Sequence, residues 1–408
     1  MKQIALFLVL IGFISCKEDK AKKKITIKED VIFLSSDDLE GRGTGTEGEK
    51  KAAAYIAQRF KDAFIEGKGT QGFYQDFNFK PKTDPHKDVE FTTNEDGTIT
   101  GRNVIGFIDN KADNTIIIGA HYDHLGYGGD GSLYRDSIAA IHNGADDNAS
   151  GVAVMLHLAK RLMKGNINNN YLFMAFSGEE MGLLGSNYFT KNPTLELKNV
   201  NYMINMDMVG RLKADSTLAV YGTGTSPRFK QVLRAHNDNF KLVQKESGVG
   251  PSDHTSFYNV DIPVLHFFTG QHEDYHKPSD DHEKLNYQGM ETISNYIFNI
   301  ISDLDDNGKL AFRKTKNESD EVPRFKVGLG VIPDYLFDGK GMRIDGVSEE
   351  KPAQKAGLQK GDVVVKMDTT KVVDLMSYMK VLSTFEEGDS TTVVVDRNGE
   401  MIEVAIKF

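Results

Sequence analysis

Apolar residues follow two rhythms along the first three quarters of the chain. Short, mostly apolar runs at Ile116–Ala120, Tyr171–Phe176, Tyr202–Met206 and Pro263–Phe268 are rich in β-branched and aromatic residues and bounded by turn formers. Such runs predict buried strands. Elsewhere the apolar positions recur at helical spacing. Ala53, Ile56, Ala57, Phe60 and Phe64 mark one face, and Val152, Met155, Leu156, Leu158 and Leu162 mark another. A further helix is expected around Met290 to Leu304. The looser stretch from Glu66 to Gly101 holds Phe73–Phe79 and predicts edge strands. Buried strands alternating with helices predict an α/β fold. The pattern breaks at Asp305-Asp306-Asn307-Gly308, and Lys314 to Pro323 is polar without periodicity. A linker is expected over residues 307–323, with a separate β-rich unit over 324–408.

Chemistry collects at the ends of the apolar runs. His121 closes the first, Glu179 and Glu180 follow the second, and Asp207 closes the third. Asp147 lies in a loop-like stretch, Asn143–Gly151, just ahead of a predicted helix, where the helix dipole favours a carboxylate. His276 lies in a loop after the fourth run. Two imidazoles and three carboxylates can hold two divalent ions if one carboxylate bridges them, leaving Glu179 free to work on water. Open α/β sheets bind ligands outside the carboxyl ends of their strands, so topology and chemistry point to one edge. Each residue also has a plainer reading. Asp146 and Asp147 alone would be a helix N-cap pair, and Glu179 and Glu180 alone would be first-turn acids. The ordered set outweighs both.

The pieces Ala120-His121-Tyr122-Asp123-His124, Gly144–Gly151, Ser177-Gly178-Glu179-Glu180, Asn205-Met206-Asp207 and Tyr275-His276, with the opening Leu39–Thr46, resemble the M28 family of zinc metallopeptidases. The resemblance spans roughly residues 31 to 300, and a peptidase domain is expected over 31–306. It implies a mixed, mostly parallel sheet flanked by helices, of the zinc exopeptidase kind, and two Zn²⁺ as cofactors. By the same resemblance Asp147 would bridge the ions, His121 and Asp207 would complete one, and Glu180 and His276 the other. Glu179 would be the general base, Asp123 would orient His121 from behind, and Tyr275 resembles a tyrosine that supports the oxyanion. His276 rather than His272 or His282 is chosen because Tyr275–Asp280 matches the family pattern. The donor set suits other divalent ions besides zinc. The implied activity is hydrolysis of N-terminal peptide bonds. The alternatives are a carboxypeptidase or glutaminyl cyclase on the same scaffold, or a silent shell that acts through its C-terminal unit.

That unit carries Lys326–Val331 and Pro352–Val364, which resemble the carboxylate-receiving loop and the Ala-Gly-Leu-x-x-Gly-Asp turn of a bacterial-protease PDZ domain. The resemblance implies a groove helix over Asp374–Leu382. A peptide C-terminus would add as a strand beside Val331. At the other end, a basic start and an apolar run from Ile4 to Ile14 precede Cys16, the only cysteine. The run has the length of a signal-peptide core. With Phe13-Ile14-Ser15-Cys16 it resembles a bacterial lipoprotein signal over residues 1–16, with Cys16 lipidated and a charged tether over 17–30. The mature protein would be exported to the cell envelope and anchored by lipid, with no second cysteine for an internal disulfide. The net charge of −10, with no basic patch, argues against a nucleic-acid partner. A peptide substrate is the partner expected.

Overall fold

The computed structural model describes residues 25–81, 90–92, 97–129, 131–136, 138–316, 326–337, 339–348 and 351–408. Cys16, the apolar segment before it, most of the tether and positions 317–325 lie outside them. No helix among the described residues is long and apolar enough to cross a membrane.

Nine strands form the larger sheet: β1 (Glu66–Gly67), β2 (Tyr74–Phe79), β3 (Ile99–Ile108), β4 (Thr115–His121), β5 (Asn170–Phe176), β6 (Val200–Met206), β7 (Thr217–Tyr221), β8 (Lys241–Gln244) and β9 (Val264–Phe268). Their order is β1-β3-β5-β4-β6-β9-β7-β8, with β2 also against β3. The four central strands β5, β4, β6 and β9 are mutually parallel, and β3 and β7 pair antiparallel on either side of them. The sheet is therefore mixed and parallel at its centre. Every residue of β4, β5 and β6 is buried, which explains why these segments read as mostly apolar runs rather than as alternation.

Successive side chains of a strand point to opposite faces. Ile116, Ile118, Tyr171, Phe173, Tyr202 and Ile204 enter one core, together with helices α1 (Ile27–Leu34), α2 (Glu47–Asp62), α3 (Gly151–Leu162), α5 (Phe229–Ala235) and α7 (Tyr287–Leu304). Ile117, Leu172, Met174 and Met203 enter another, with α4 (Leu184–Lys191) and α6 (His254–Tyr258). Helices thus cover both faces. Their starts are fixed by local chemistry: Thr26, Thr46 and Asn286 cap α1, α2 and α7 through their side chains.

The C-terminal sheet is antiparallel throughout. It contains β10 (Val331–Pro333), β11 (Met342–Val347), β12 (Val363–Met367), β13 (Thr370–Lys371), β14 (Ser390–Arg397) and β15 (Glu400–Lys407), with α8 (Pro352–Lys355) and α9 (Leu375–Leu382). β10 forms one edge, and α9 packs Tyr378, Val381 and Leu382 onto Val364, Met367 and Val393. The segment expected as a linker is docked up to Thr315. Leu310 is buried, Phe312 meets Tyr258, and the N–H groups of Arg313 and Thr315 donate to Thr225 O and the Tyr258 hydroxyl at 2.8 and 2.9 Å. Its few apolar side chains show no periodicity because each is an isolated contact made by irregular backbone.

Candidate metal centre

The parallel strands β5, β4, β6 and β9 end on one edge of the sheet. The chain passes from β4 to β5 on one side and later reaches β6 on the other. The crevice at the end of β4 is therefore where strand order reverses, the usual ligand position in such sheets. His121 is the last residue of β4, and Asp207 directly follows β6. Glu179 and Glu180 follow β5 after Gly178, whose φ of 70° suits glycine at that turn. Asp147 comes from the π-helical turn Ala145–Ser150 that leads into α3, and its peptide bond to Asn148 is cis. His276 comes from the loop after β9, with a left-handed φ of 53°.

These five side chains converge. Nε2 of His121 lies 3.3 Å from Oδ1 of Asp147 and 3.3 Å from Oδ1 of Asp207. Nε2 of His276 lies 3.2 Å from Oδ2 of Asp147 and 3.2 Å from Oε2 of Glu180. Asp147 gives one oxygen to each group. Ligand atoms about 2.0–2.1 Å from a tetrahedral ion stand about 3.3 Å apart, so both groups have the spacing of a divalent-ion site. His124 also approaches, with Nδ1 at 2.7 Å from Oε1 of Glu180 and 3.9 Å from Asp147. The shorter reach to Asp147 favours His276 as the ligand, while His124 fixes Glu180. His272 instead faces Asp146 at 3.2 Å, and His282 lies beside Glu283 away from the cluster.

A layer of buried groups holds the cluster from behind. Nδ1 of His121 meets the Asp123 carbonyl at 3.2 Å, while the Asp123 carboxylate is 3.7 Å away. That carboxylate accepts the N–H groups of Glu179 and Glu180 at 3.1 and 3.4 Å and the Thr44 hydroxyl at 3.1 Å. Asp123 therefore orients His121 through its backbone and fixes the Glu179–Glu180 turn through its side chain. Asp280 accepts the N–H groups of Asp146 and Asp147 at 2.9 and 3.1 Å. Fully buried Arg42 donates to the carbonyls of Leu34, Tyr122, Asn143 and Gly144. It ties the segments bearing His121 and Asp147 to the N-terminal stretch. The roles of Arg42, His124 and Asp280 are not separable in the sequence, although all three lie inside the segments that carry the family resemblance.

The electrostatics of the cluster call for positive charge. Burial lowers the pKa of His276, but Glu180 and Asp147 outweigh it and push it to about 11. His121 is likewise raised well above its ordinary value, burial being overcome by Asp207 and Glu179. Burial and the charge of Asp147 raise Glu180, yet His276 and His124 bring it down to about 2. Glu179 moves the other way. Burial lifts it well above the carboxylate range, opposed by His121 and reinforced by Asp207, Asp253 and Glu180. Burial also raises Tyr275, with Asp147, Glu180, Glu179 and Asp207 adding to it, so its phenol stays protonated. The Tyr275 ring stacks on His276 with centroids 3.8 Å apart. A cavity of about 180 Å³ opens beside the cluster, touching His121, Asp147, Glu179, Asp207 and Tyr275.

Residues 103–301 match the family model for peptidase family M28, and residues 310–408 match that for the PDZ domain. A probable leucine aminopeptidase of Trichophyton verrucosum is 31% identical over 172 residues, covering 40% of this chain and 44% of the relative. Aminopeptidase YwaD of Bacillus subtilis is 28% identical over 212 residues, covering 48% of this chain and 43% of the relative. The chain thus spans less than half the length of these two curated relatives. Among solved structures, BSAP, a zinc aminopeptidase from Bacillus subtilis, superposes with a TM-score of 0.52 at 17% identity, over 72% of this chain and 97% of that one. A Zn-dependent exopeptidase from Parabacteroides distasonis superposes with a TM-score of 0.54 at 17% identity, over 68% and 97%. Both superpositions show the same fold. Residues 103–301 of this chain are thus a peptidase family M28 domain, followed over residues 310–408 by a PDZ domain.

Proposed function

We propose that the chain is a zinc-dependent exopeptidase that removes residues from the amino end of peptides. The observation that carries this reading is Asp147, whose two oxygens each meet a different imidazole at 3.3 and 3.2 Å. His121, Asp207 and Asp147 would hold one ion, and His276, Glu180 and Asp147 the other. Zinc at such a site lowers the pKa of water towards about 7 and polarises a carbonyl.

The chain's own groups supply the rest. Glu179, the one carboxylate of the pair left out of the ligand set, takes a proton from the attacking water and delivers it to the leaving amine. The protonated phenol of Tyr275 donates a hydrogen bond to the oxygen of the scissile carbonyl as negative charge develops there. The aminopeptidase relatives support the amino end over the carboxyl end. Lipidation at Cys16 and export to the envelope complete the proposal. Replacing Cys16 by Ser should move the protein from the membrane fraction to the soluble one, and unchanged membrane recovery would count against the anchor.

The test is amino-acid release from matched peptides with free and acetylated N-termini, with zinc and with a chelator. Zinc-dependent release from the free-amine peptides alone supports the reading. Equal cleavage of both sets would replace it with a carboxypeptidase or endopeptidase, and no cleavage by protein carrying its metal would reject it.

A further inference from the structure

The cavity beside the metal centre is not closed by the peptidase domain alone. Beyond the acidic groups and Tyr275, its wall includes Met208, Tyr221, Phe268 and Tyr335, with His266 and Gln271 as polar members. Tyr335 belongs to the PDZ domain. It is the second residue after β10 and stands edge-on to Phe268, with ring centroids 6.5 Å apart at 73°, a favoured aromatic geometry.

The turn that presents Tyr335 is well anchored. Oδ1 of Asp334 accepts the Leu336 N–H at 2.9 Å, and its Oδ2 accepts Nε of Arg343 from β11 at 2.8 Å. Leu336, only 5% exposed, packs with Ala219 of β7 and Val243 of β8. Gly270 permits this approach. Its φ is 99°, and a Cβ there would stand 2.7 Å from Cδ1 of Leu336. Around this contact Asp345 lies 3.5 Å from Lys213 and 3.3 Å from Lys360, which itself reaches Glu273 at 3.4 Å. Partly exposed pairs of this kind add little, so Leu336 dominates the docking while Tyr335 is left to face the cavity. Neither residue belongs to the core of the PDZ domain.

We propose that Tyr335 is a specificity-determining residue of the peptidase, lent by the PDZ domain, and that the wall it completes selects a large apolar side chain at the substrate's amino end. What fills the cavity rests on the aminopeptidase reading above. The physical basis is the wall's composition: two phenol rings, a phenyl ring and a thioether cover an aliphatic or aromatic side chain, whereas a charged one would lose its hydration without a partner there.

The test uses the full chain with zinc and three variants, Tyr335→Ala, Tyr335→Phe and Leu336→Asp. It reads kcat/KM on leucyl- and alanyl-p-nitroanilide, together with calorimetric binding of free leucine. Tyr335→Ala should lower the leucyl-to-alanyl ratio about tenfold or more, mainly through KM, because the lost contact serves only the larger side chain. Tyr335→Phe should keep the ratio, since the ring and not the hydroxyl forms the wall. Leu336→Asp, which undocks the domain without touching its core, should reproduce the loss. An unchanged ratio in Tyr335→Ala, or an equal fall on both substrates, would overturn the assignment. If the unmodified chain hydrolyses neither substrate, the aminopeptidase reading fails and the calorimetry decides this one. Leucine binding weakened about tenfold by Tyr335→Ala would uphold the wall, and unaltered binding would overturn it.

Discussion

The two domains meet the same requirement, a dry core, by opposite means. The central strands of the peptidase sheet are buried on both faces, so carboxylates appear only where those strands stop. There the chain places His121, Asp207 and the Glu179–Glu180 pair. The PDZ sheet has exposed positions alternating with buried ones, most clearly along β14, and its one contribution to the pocket is a turn between β10 and β11. The difference teaches that a doubly covered parallel sheet concentrates chemistry at one edge, where it is legible as charge after an apolar run. A small antiparallel sheet instead offers surfaces and turns whose partners no local pattern names.

This division of labour can be broken by substitution. The largest effect is expected on the peptidase side. Glu179→Gln should lower kcat about a thousandfold on leucyl and alanyl substrates alike while metal content stays unchanged. A selective effect, or loss of metal, would mean that base and ligand have been confused. Next comes Arg42→Met, which strips four carbonyls of their buried partner and should lower the unfolding free energy of the peptidase domain by roughly 3–5 kcal/mol. Arg397→Met, which removes a partly exposed guanidinium from Asp362 in the PDZ domain, should shift its own denaturation less. Equal shifts would show that Arg42 is not the tie described.

The smallest effect is a pH dependence confined to the peptidase domain. Burial lifts Glu49, which accepts from Ser177 and Gly45, from 4.5 to about 8. A carboxyl raised in the folded state stabilises it fully below about 4.5, and that contribution is lost as pH rises through about 8. The urea midpoint of the unmodified chain should therefore fall between pH 5 and 8.5, by more than about 1 kcal/mol of stability. Glu49→Gln should flatten that slope, and parallel slopes would remove Glu49 as the cause.

Much of the peptidase fold was legible because its strands are long apolar runs and its site residues sit at their ends. The ordered His121, Asp147, Glu180, Asp207 and His276 were readable as a set before any distance was known. Arg42 was not readable as a buried tie, because its four acceptors are carbonyls contributed by segments up to 102 positions away. His124 was ambiguous because a histidine three residues after another can be ligand, support or surface, and only its 2.7 Å contact with Glu180 separates these. Leu310 and Phe312 read as linker because isolated apolar residues show no period. Tyr335 gave no signal at all, since its contact joins two domains through single residues.

Asp147 as the shared carboxylate is the centre of the proposed site. Its most direct test is the zinc content per chain, by elemental analysis after gel filtration, of the unmodified protein and of Asp147→Ala. Two ions in the first and none in the second is the result predicted. One tightly held ion remaining in Asp147→Ala would contradict the bridge and require two independent sites.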